Sequence, residues 1–314
     1  MVGIRPEERP IEEYIRKGII NLDKPPGPTS HEVSAWIRKI FNLDKVGHGG
    51  TLDPRATGVL PILLEDATKI TPFLLSSDKE YVCLMKLHKK VSEKRLLKAF
   101  SKFEGVIYQK PPLKSAVKRV TRKRKVYKLR LLELEDKDVL FKVKCESGTY
   151  IRVLCHDIGQ FLGVGASMYE LRRVLSEPFV ESDCVTMHDL VDSYFLWKEC
   201  GEEKYLREKI LPIENVLKHI PKIYIKDSTV DAICHGADLA APGVANNGIA
   251  DDVSIGGRVA LYTQKGEVVA LAIAKRDLKK GVFYKKGIVA DTERVIMQPN
   301  TYPKYWKNAG VAER

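Results

Sequence analysis

No run of eighteen apolar residues occurs anywhere in this 314-residue chain, and a helix that crosses a bilayer needs about twenty. The first twenty residues carry charge throughout, without the basic-then-apolar order of a secretory leader. A chain that neither spans a membrane nor is exported is therefore expected. Cysteine is sparse: six residues, Cys83, Cys145, Cys155, Cys184, Cys200 and Cys234, none of them in a C-x-x-C pair. That spacing argues against a zinc ribbon and against a disulfide-stapled scaffold, and reduced thiols in the cytoplasm are expected. No G-K-[S/T] follows the one glycine-rich loop before a helix, which sets aside a Walker-type phosphate cradle. Internal repeats and low-complexity segments are also missing.

Acidic residues are outnumbered, 41 against 53 Lys and Arg, which leaves a formal net charge of +12. A basic balance favours a polyanionic partner, because each neutralised phosphate releases counterions. Net charge alone fits a merely soluble basic protein equally well. The distribution decides between them. "KSAVKRVTRKRKVYKLR", residues 114–130, carries nine Lys or Arg and no acid. It follows "YQKPP" and leads into the strand-like "VYKLRLLELE", so a basic finger projecting from a sheet and aimed at nucleic acid is expected.

Along the chain, Ile19 to Leu22 reads as a short strand stopped by a Pro/Gly cluster. Thr29 and Glu32 form a capping box. Val33, Trp36, Ile37, Ile40 and Phe41 then have the spacing of a core-facing helix. "VLPILL" reads as a buried strand, "DATKITPFLL" as a short helix and "KEYVCLMKLH" as a strand. Ser92 to Phe103 is a predicted helix capped by Ser92 and ended by Gly105. Val139, Phe141, Val143 and Cys145 alternate with Leu140, Lys142 and Lys144, the period of a half-buried strand. Ile151, Leu154, Cys155, Ile158, Phe161 and Leu162 mark another amphipathic helix, ended at Gly163, and "ASMYELRRVL" is a predicted strand.

Strands and helices mix without a βαβ repeat. An α+β fold is expected, with a mixed, largely antiparallel central sheet and flanking helices. Beyond residue 218 short strands alternate with turn signals at Gly236, Pro242-Gly243, Asn247-Gly248, Gly256-Gly257 and Lys265-Gly266, the texture of a small C-terminal β-barrel. The expected division is 1–218, 219–300 and a tail at 301–314.

"VGHGGTLDPRATGVL", residues 46–60, sets four glycines and one acid, Asp53, between two apolar runs. Aspartate before proline is a common turn opener, and on spacing alone Asp53 reads as a turn residue. Gly49 and Gly50 would nevertheless admit a bulky ligand close to the backbone. Thr51, Asp53 and Thr57 cluster polar atoms there, as on a cleft floor. Arg152 follows "SGTY" at a helix start, where the dipole favours anions, so an acid or phosphate partner is expected for it. Tyr81 and Leu171 would ordinarily be packing residues. Cys155-His156 hints at thiol chemistry, but Cys155 lies on the apolar face of its helix.

"GHGGTLDPRATGVL", "KEYVCLMKLH", "SGTYIRVLCHDIG" and "ELRRVLSEPF", in this order, resemble the motifs of the TruB/dyskerin branch of pseudouridine synthases. "QKPPLKSAVKR" resembles the entry to that branch's RNA-gripping loop, and "HGADLAAPGV" with "ALAIAK" and "NTYPKYW" resembles a PUA domain. The resemblance spans about residues 10–306. It implies an RNA isomerase that needs no cofactor and no metal. Asp53 would act at the ribose, by attack at C1′ or by removing the C2′ proton. Tyr81 would stack on the target base and assist at C5. Arg152 would pair with Asp53, and Leu171 would line the pocket. His48 would help extrude the target nucleotide.

Lys114, Lys118, Arg119, Arg122, Lys123 and Arg124 fall in the RNA-gripping segment. Gly236, Ala237, Leu239, Pro242 and Gly243 fall where such PUA domains grip a guide RNA. The implied partners are an H/ACA guide RNA, ribosomal RNA with tRNA as a further substrate, and three small proteins. These are a glycine/arginine-rich-type protein, a small protein along the catalytic domain and a kink-turn-binding protein. Val153, Glu177 and Gly49 depart from the family's Thr, Gly and Ser without replacing a catalytic type. The rival readings are a guide-independent enzyme for the T-arm uridine of tRNA and a non-catalytic RNA scaffold. A tRNA transglycosylase is disfavoured, for lack of a cysteine-rich zinc site.

Overall fold

Thr29 does what its spacing to Glu32 predicts. Its hydroxyl accepts from the Glu32 N–H at 3.1 Å while the Glu32 carboxylate accepts from the Thr29 N–H at 2.7 Å, and together they open helix α1, Ser30–Ile40. Val33, Ile37 and Phe41 face the core, but Trp36 is 46% exposed, so the buried stripe is narrower than the sequence suggests. The structure, a computed structural model, describes residues 3–111 and 118–304. Lys114 lies outside them, as does the end of the tail.

Two compact units form, and neither is a continuous stretch. One gathers residues 20–62 and 71–201; the other gathers 1–19, 63–70 and 202–314. The first is built on a sheet whose strands are β1 (Gly18–Lys24), β2 (Thr57–Leu64), β3 (Lys79–Leu87), β4 (Gly105–Gln109), β5 (Arg122–Glu135), β6 (Asp138–Cys145) and β7 (Ala166–Ser176). They lie in the order β1-β2-β7-β3-β6-β5-β4. β2 and β7 run parallel, with Gly58 opposite Arg173; the pairs β3–β7, β3–β6, β5–β6 and β4–β5 are antiparallel. The expected mixed, largely antiparallel sheet is therefore what forms. Helix α2, Glu93–Phe103, and helix α3, Ile151–Phe161, flank it. Ile151, Leu154, Cys155 and Ile158 of α3 are buried, and the Cys155 thiol sits 3.6 Å from that of Cys83 on β3.

Several local expectations change. Ser92 stands at the N-cap of α2 but its side chain makes no capping bond, and the helix ends through an extended Glu104, with Gly105 opening β4. Phe161 is 53% exposed, its ring edge-on to Phe103. "DATKITPFLL" folds as a 3₁₀ turn, Glu65–Ile70, followed by a short helix, Thr71–Ser76. The largest change concerns the basic run. Its second half, residues 122–130, already belongs to β5, pairing with β4 and β6, so the strand begins four residues before the expected Val126. Val126 and Leu129 are buried in that strand, three residues apart across a register shift, so the run shows no simple alternation.

Gly58 is a point where one side chain would break the sheet. Its φ is +95°, and a Cβ there would lie 2.2 Å from the Arg173 carbonyl oxygen of the neighbouring strand. Gly58→Ala is expected to destabilise the chain by about 3 kcal/mol and to lower Tm by roughly 10 °C. Thermal melting followed by circular dichroism measures this; superimposable curves would contradict the packing.

The second unit carries a sheet of strands β8 (Lys222–Ile225), β9 (Leu239–Ala240), β10 (Val244–Ile249), β11 (Arg258–Tyr262), β12 (Val268–Ala274) and β13 (Ile288–Val295). Their order is β9-β13-β12-β11-β8-β10. Its core includes Ile223, Val230, Leu239, Val259, Leu261 and Ala272. The N-terminal segment is fastened into this unit. The buried Arg9 guanidinium donates to both oxygens of Glu214, at 3.0 and 2.7 Å, and Glu214 also accepts from the Val268 N–H at 3.1 Å. Helix Glu203–Lys209 belongs to this unit, whereas helix Met187–Cys200 belongs to the first.

Candidate active site

The loop that carries Asp53 leaves a short strand, Val46–His48, and runs into β2. Three buried polar side chains hold its backbone. The Lys24 ammonium donates to the carbonyls of Pro54 at 3.0 Å and Ala56 at 2.9 Å. Ser30 accepts from the Leu52 N–H at 2.9 Å through its hydroxyl oxygen. Arg173 donates to Gly50 O at 2.9 Å and to Val59 O at 2.7 Å. A short turn closes on the acid itself, with the Ala56 N–H donating to Asp53 O at 3.0 Å. Asp53 is thus a turn residue and also the point that the clamped loop presents.

The glycines in this loop make room for the protein. A Cβ on Gly49 would press on Leu74 and Pro61, and one on Gly50 would meet Arg173 and Lys79. Gly50 also has φ +142°. At Gly49 the tight neighbours, and at Gly50 the positive φ, are reasons within the chain for glycine.

Arg152 reaches Asp53 from across the fold. Its guanidinium donates to the Asp53 carboxylate, closing an ion pair in which both side chains are nearly half exposed, 45% and 46%. Arg152 is the second residue of α3. The start of that helix is pinned by the buried Gln109, whose amide donates to Tyr150 O at 3.1 Å and accepts from Tyr150 N–H at 2.9 Å. An exposed ion pair contributes little to stability, so holding the fold together does not account for this one.

Tyr81 lies on β3 opposite Arg173 and is buried. Burial pushes its phenol pKa up, against the Arg173 guanidinium, which donates a hydrogen bond to the phenol oxygen and lowers it. Leu171, two residues before Arg173, lines a cleft of about 700 Å³ with Arg55, Thr57, Val82, Leu84 and Tyr169. Lys79, almost wholly buried, donates to Leu74 O and to Ser77, and burial brings its pKa down to about 7.

His48 is half-buried, with its ring edge-on to His31 at 4.9 Å and its Nδ1 buried without a partner. Burial, then His31 and Arg173, lower its pKa to about 4. Between the ordinary value near 6.5 and that figure, the unfolded chain binds more protons than the folded one. Stability is therefore intact above pH 6.5 and falls as the pH drops towards 4, by roughly 1–2 kcal/mol once partial exposure is allowed for. His48→Asn should flatten this part of a Tm-versus-pH curve; an identical acid limb in the variant would remove His48 as its cause.

The basic residues do not all gather at one point. Lys118, Arg119 and Lys123 are exposed, whereas Arg122 and Arg124 are half-buried. Lys123 lies over the exposed Tyr108 ring, 5.9 Å from its centroid. Arg124 packs against Gly148, in the loop that leads to Arg152. In the other unit, Gly236, Ala237 and Gly243 line a cavity of about 640 Å³ together with Ser228, Thr229 and His235. Leu239 is instead fully buried in the core, and Pro242, outside the lining, accepts from the Lys226 ammonium at 2.7 Å. Lys24, Ser30, Gln109 and Arg173 were not anticipated from the sequence.

Family models and known relatives agree on what this chain is similar to. The TruB family pseudouridylate synthase N-terminal domain matches residues 38–151, and the tRNA pseudouridylate synthase B C-terminal domain matches 152–218. A DKCLD domain matches 1–34 and a PUA domain 221–296. A probable tRNA pseudouridine synthase B of Methanopyrus kandleri is 56% identical over 97% of this chain and 89% of its own length. One from Archaeoglobus fulgidus is 55% identical over 98% and 94%. Among solved structures, a Cbf5-Nop10-Gar1 complex superposes with a TM-score of 0.87 at 54% identity, covering 96% of this chain and 92% of that one. An H/ACA ribonucleoprotein bound to a substrate RNA containing 2′-deoxyuridine gives 0.87 at 51% identity, covering 97% and 93%.

Proposed function

This chain belongs to the TruB family of pseudouridylate synthases, RNA isomerases, and we propose that Asp53 is its reacting carboxylate, with Arg152, Tyr81 and Leu171 arranged around it. The observation that carries this reading is the Asp53–Arg152 ion pair, half open to solvent on a loop clamped from behind. A carboxylate that must meet a ribose has to be reachable, oriented and accompanied by a cation. The target base leaves its stack first, at a cost of a few kcal/mol that pocket contacts offset. The Asp53 carboxylate then acts at the sugar, the C1′–N1 bond breaks, the uracil turns and C5 bonds to C1′, after which C5 gives up its proton and N1 takes one up. The isomerisation takes atoms from no second substrate.

We propose further that the chain works as the catalytic subunit of an H/ACA guide ribonucleoprotein on ribosomal RNA, with guide RNA on its PUA domain and small proteins bound to it. Support comes from similarity over nearly the whole chain to proteins solved in a Cbf5-Nop10-Gar1 complex and in an H/ACA ribonucleoprotein. In such an assembly base pairing would select the target, leaving the protein to read backbone and shape. A second reading, guide-independent action on tRNA, is favoured by the relatives named tRNA pseudouridine synthase B.

Mapping pseudouridine in ribosomal RNA fragments and in tRNA, with and without guide RNA and the small proteins, separates the two. The guided reading expects modification of the ribosomal fragment only with the guide present. Modification of the tRNA T-arm by the bare chain, and of nothing else, would leave the second reading alone.

A further inference from the structure

Arg173 is the largest side chain beneath the Asp53 loop that the reaction above leaves unused, and its surroundings are unusual for a buried cation. It is 1% exposed. It donates to two neutral acceptors, the carbonyls of Gly50 and Val59, and the neutral phenol of Tyr81, directly opposite it on β3, lies against the guanidinium. Among the described residues no carboxylate pairs with it. Lys24 and Lys79, also buried, likewise donate only to carbonyl and hydroxyl oxygens. A charge removed from water without a counter-charge opposes folding. A neutral amide could bridge two carbonyls at less expense, so bridging alone does not account for a guanidinium at this point.

The bond to Tyr81 supplies a reason. A phenol oxygen both accepts and donates. The guanidinium has only donors, so it occupies a lone pair of the phenol and leaves the hydroxyl proton to be donated elsewhere. We infer that Arg173 is a positioning residue that acts through Tyr81: it fixes the phenol from behind and polarises it, so that the hydroxyl donates into the pocket to the detached uracil. That uracil carries the electron pair of the broken C1′–N1 bond and is an anion. Its charge disappears when C5 bonds to C1′, so that step needs a hydrogen-bond donor and no proton transfer; the proton leaves C5, and N1 takes one up, only afterwards. A cation behind a donor strengthens it where charge develops. This inference rests on Tyr81 facing the target base.

The test uses the full chain under whichever conditions, guided or guide-free, wild type forms pseudouridine. Single-turnover release of tritium from C5 of labelled RNA is measured beside RNA affinity by filter binding. Arg173→Lys and Tyr81→Phe should each slow the single-turnover rate by about 10²-fold, with RNA affinity changed no more than about threefold. The double variant should be no slower than the slower single one, because both remove one donor. Losses that multiply, or a loss confined to affinity, would overturn the inference and leave the role of Asp53 standing.

A second measurement avoids disturbing Arg173. 3-Fluorotyrosine placed at position 81 makes the phenol more acidic at almost constant shape. It should move the alkaline limb of the rate–pH profile to lower pH; an unmoved limb overturns the inference. If wild type forms no pseudouridine under any condition, the parent reading falls and takes this one with it. That outcome is distinct from the multiplied losses.

Discussion

Asp53→Asn lowers pseudouridine formation by about 10⁵-fold or more, the scale seen when a nucleophile or its equivalent is removed, while RNA binding stays as tight as in wild type or tighter. The asparagine keeps the shape of the side chain, so the loop held by Lys24, Ser30 and Arg173 has no reason to move. What goes is the charge and the nucleophilic lone pairs. Binding does not weaken because one negative charge has been taken from a surface that meets phosphates. The fold survives because the pair Asp53 makes with Arg152 is nearly half exposed and contributes little to stability. Asp53→Ala belongs beside it, since an asparagine that deamidates restores the enzyme. Activity within a hundredfold of wild type in the alanine variant would remove Asp53 from the reaction.

Arg152→Met should cost about 10²–10³-fold in single-turnover rate, with Tm changed by no more than about 2 °C. In the free chain the guanidinium orients the Asp53 carboxylate through a pair that water screens. When RNA covers the site that screening is lost, so the same contact matters more in the bound state than in the free one. Arg152→Lys should recover part of the rate, because a point charge replaces the charge but not the planar fork. Combining Arg152→Met with Asp53→Asn should be no worse than Asp53→Asn alone, as expected of residues that act as a unit. A double variant slower than Asp53→Asn by the full arginine factor would show that Arg152 works on something other than Asp53.

The sequence was most legible where the pattern is local. The Thr29–Glu32 box, the alternation in β6 and the apolar stripe of α3 each lie within a dozen residues, and each forms. β5 was harder because six of its first nine residues are Lys or Arg, and because its register shifts, so that the buried Val126 and Leu129 stand three apart rather than two. Trp36 and Phe161 fit their stripes by spacing, yet about half of each side chain stays exposed among the described residues.

The site divides in the same way. Motif order singled out Asp53, Tyr81, Arg152 and Leu171; the structure brings Asp53 and Arg152 into contact, and the roles of the four are the proposal made above. The residues that hold them were not readable. Lys24, Ser30, Gln109 and Arg173 bind backbone carbonyls and amides that lie 22 to 123 residues away. A backbone group is the same in every residue type, so such a bond leaves no partner pattern in the sequence. For Gly49 the neighbours that crowd its α-carbon, Leu74 and Pro61, come from elsewhere in the chain, so the sequence carried the residue type without that reason for it.

The Arg9–Glu214 clamp has a consequence for synthesis. A ribosome delivers Arg9 205 residues before Glu214, and the strand bearing Val268 later still. Residues 20–62 and 71–201 can therefore complete their unit while residues 1–19 and 63–70 wait for the remainder of theirs. During that interval the future core face of the N-terminal segment, including Ile11, Tyr14 and Ile15, is open to water and to other nascent chains. Such long-range closure is slow and prone to aggregation. Translation speed beyond residue 201, and chaperone occupancy before it ends, should thus govern the yield of this protein more than the stability of the finished fold.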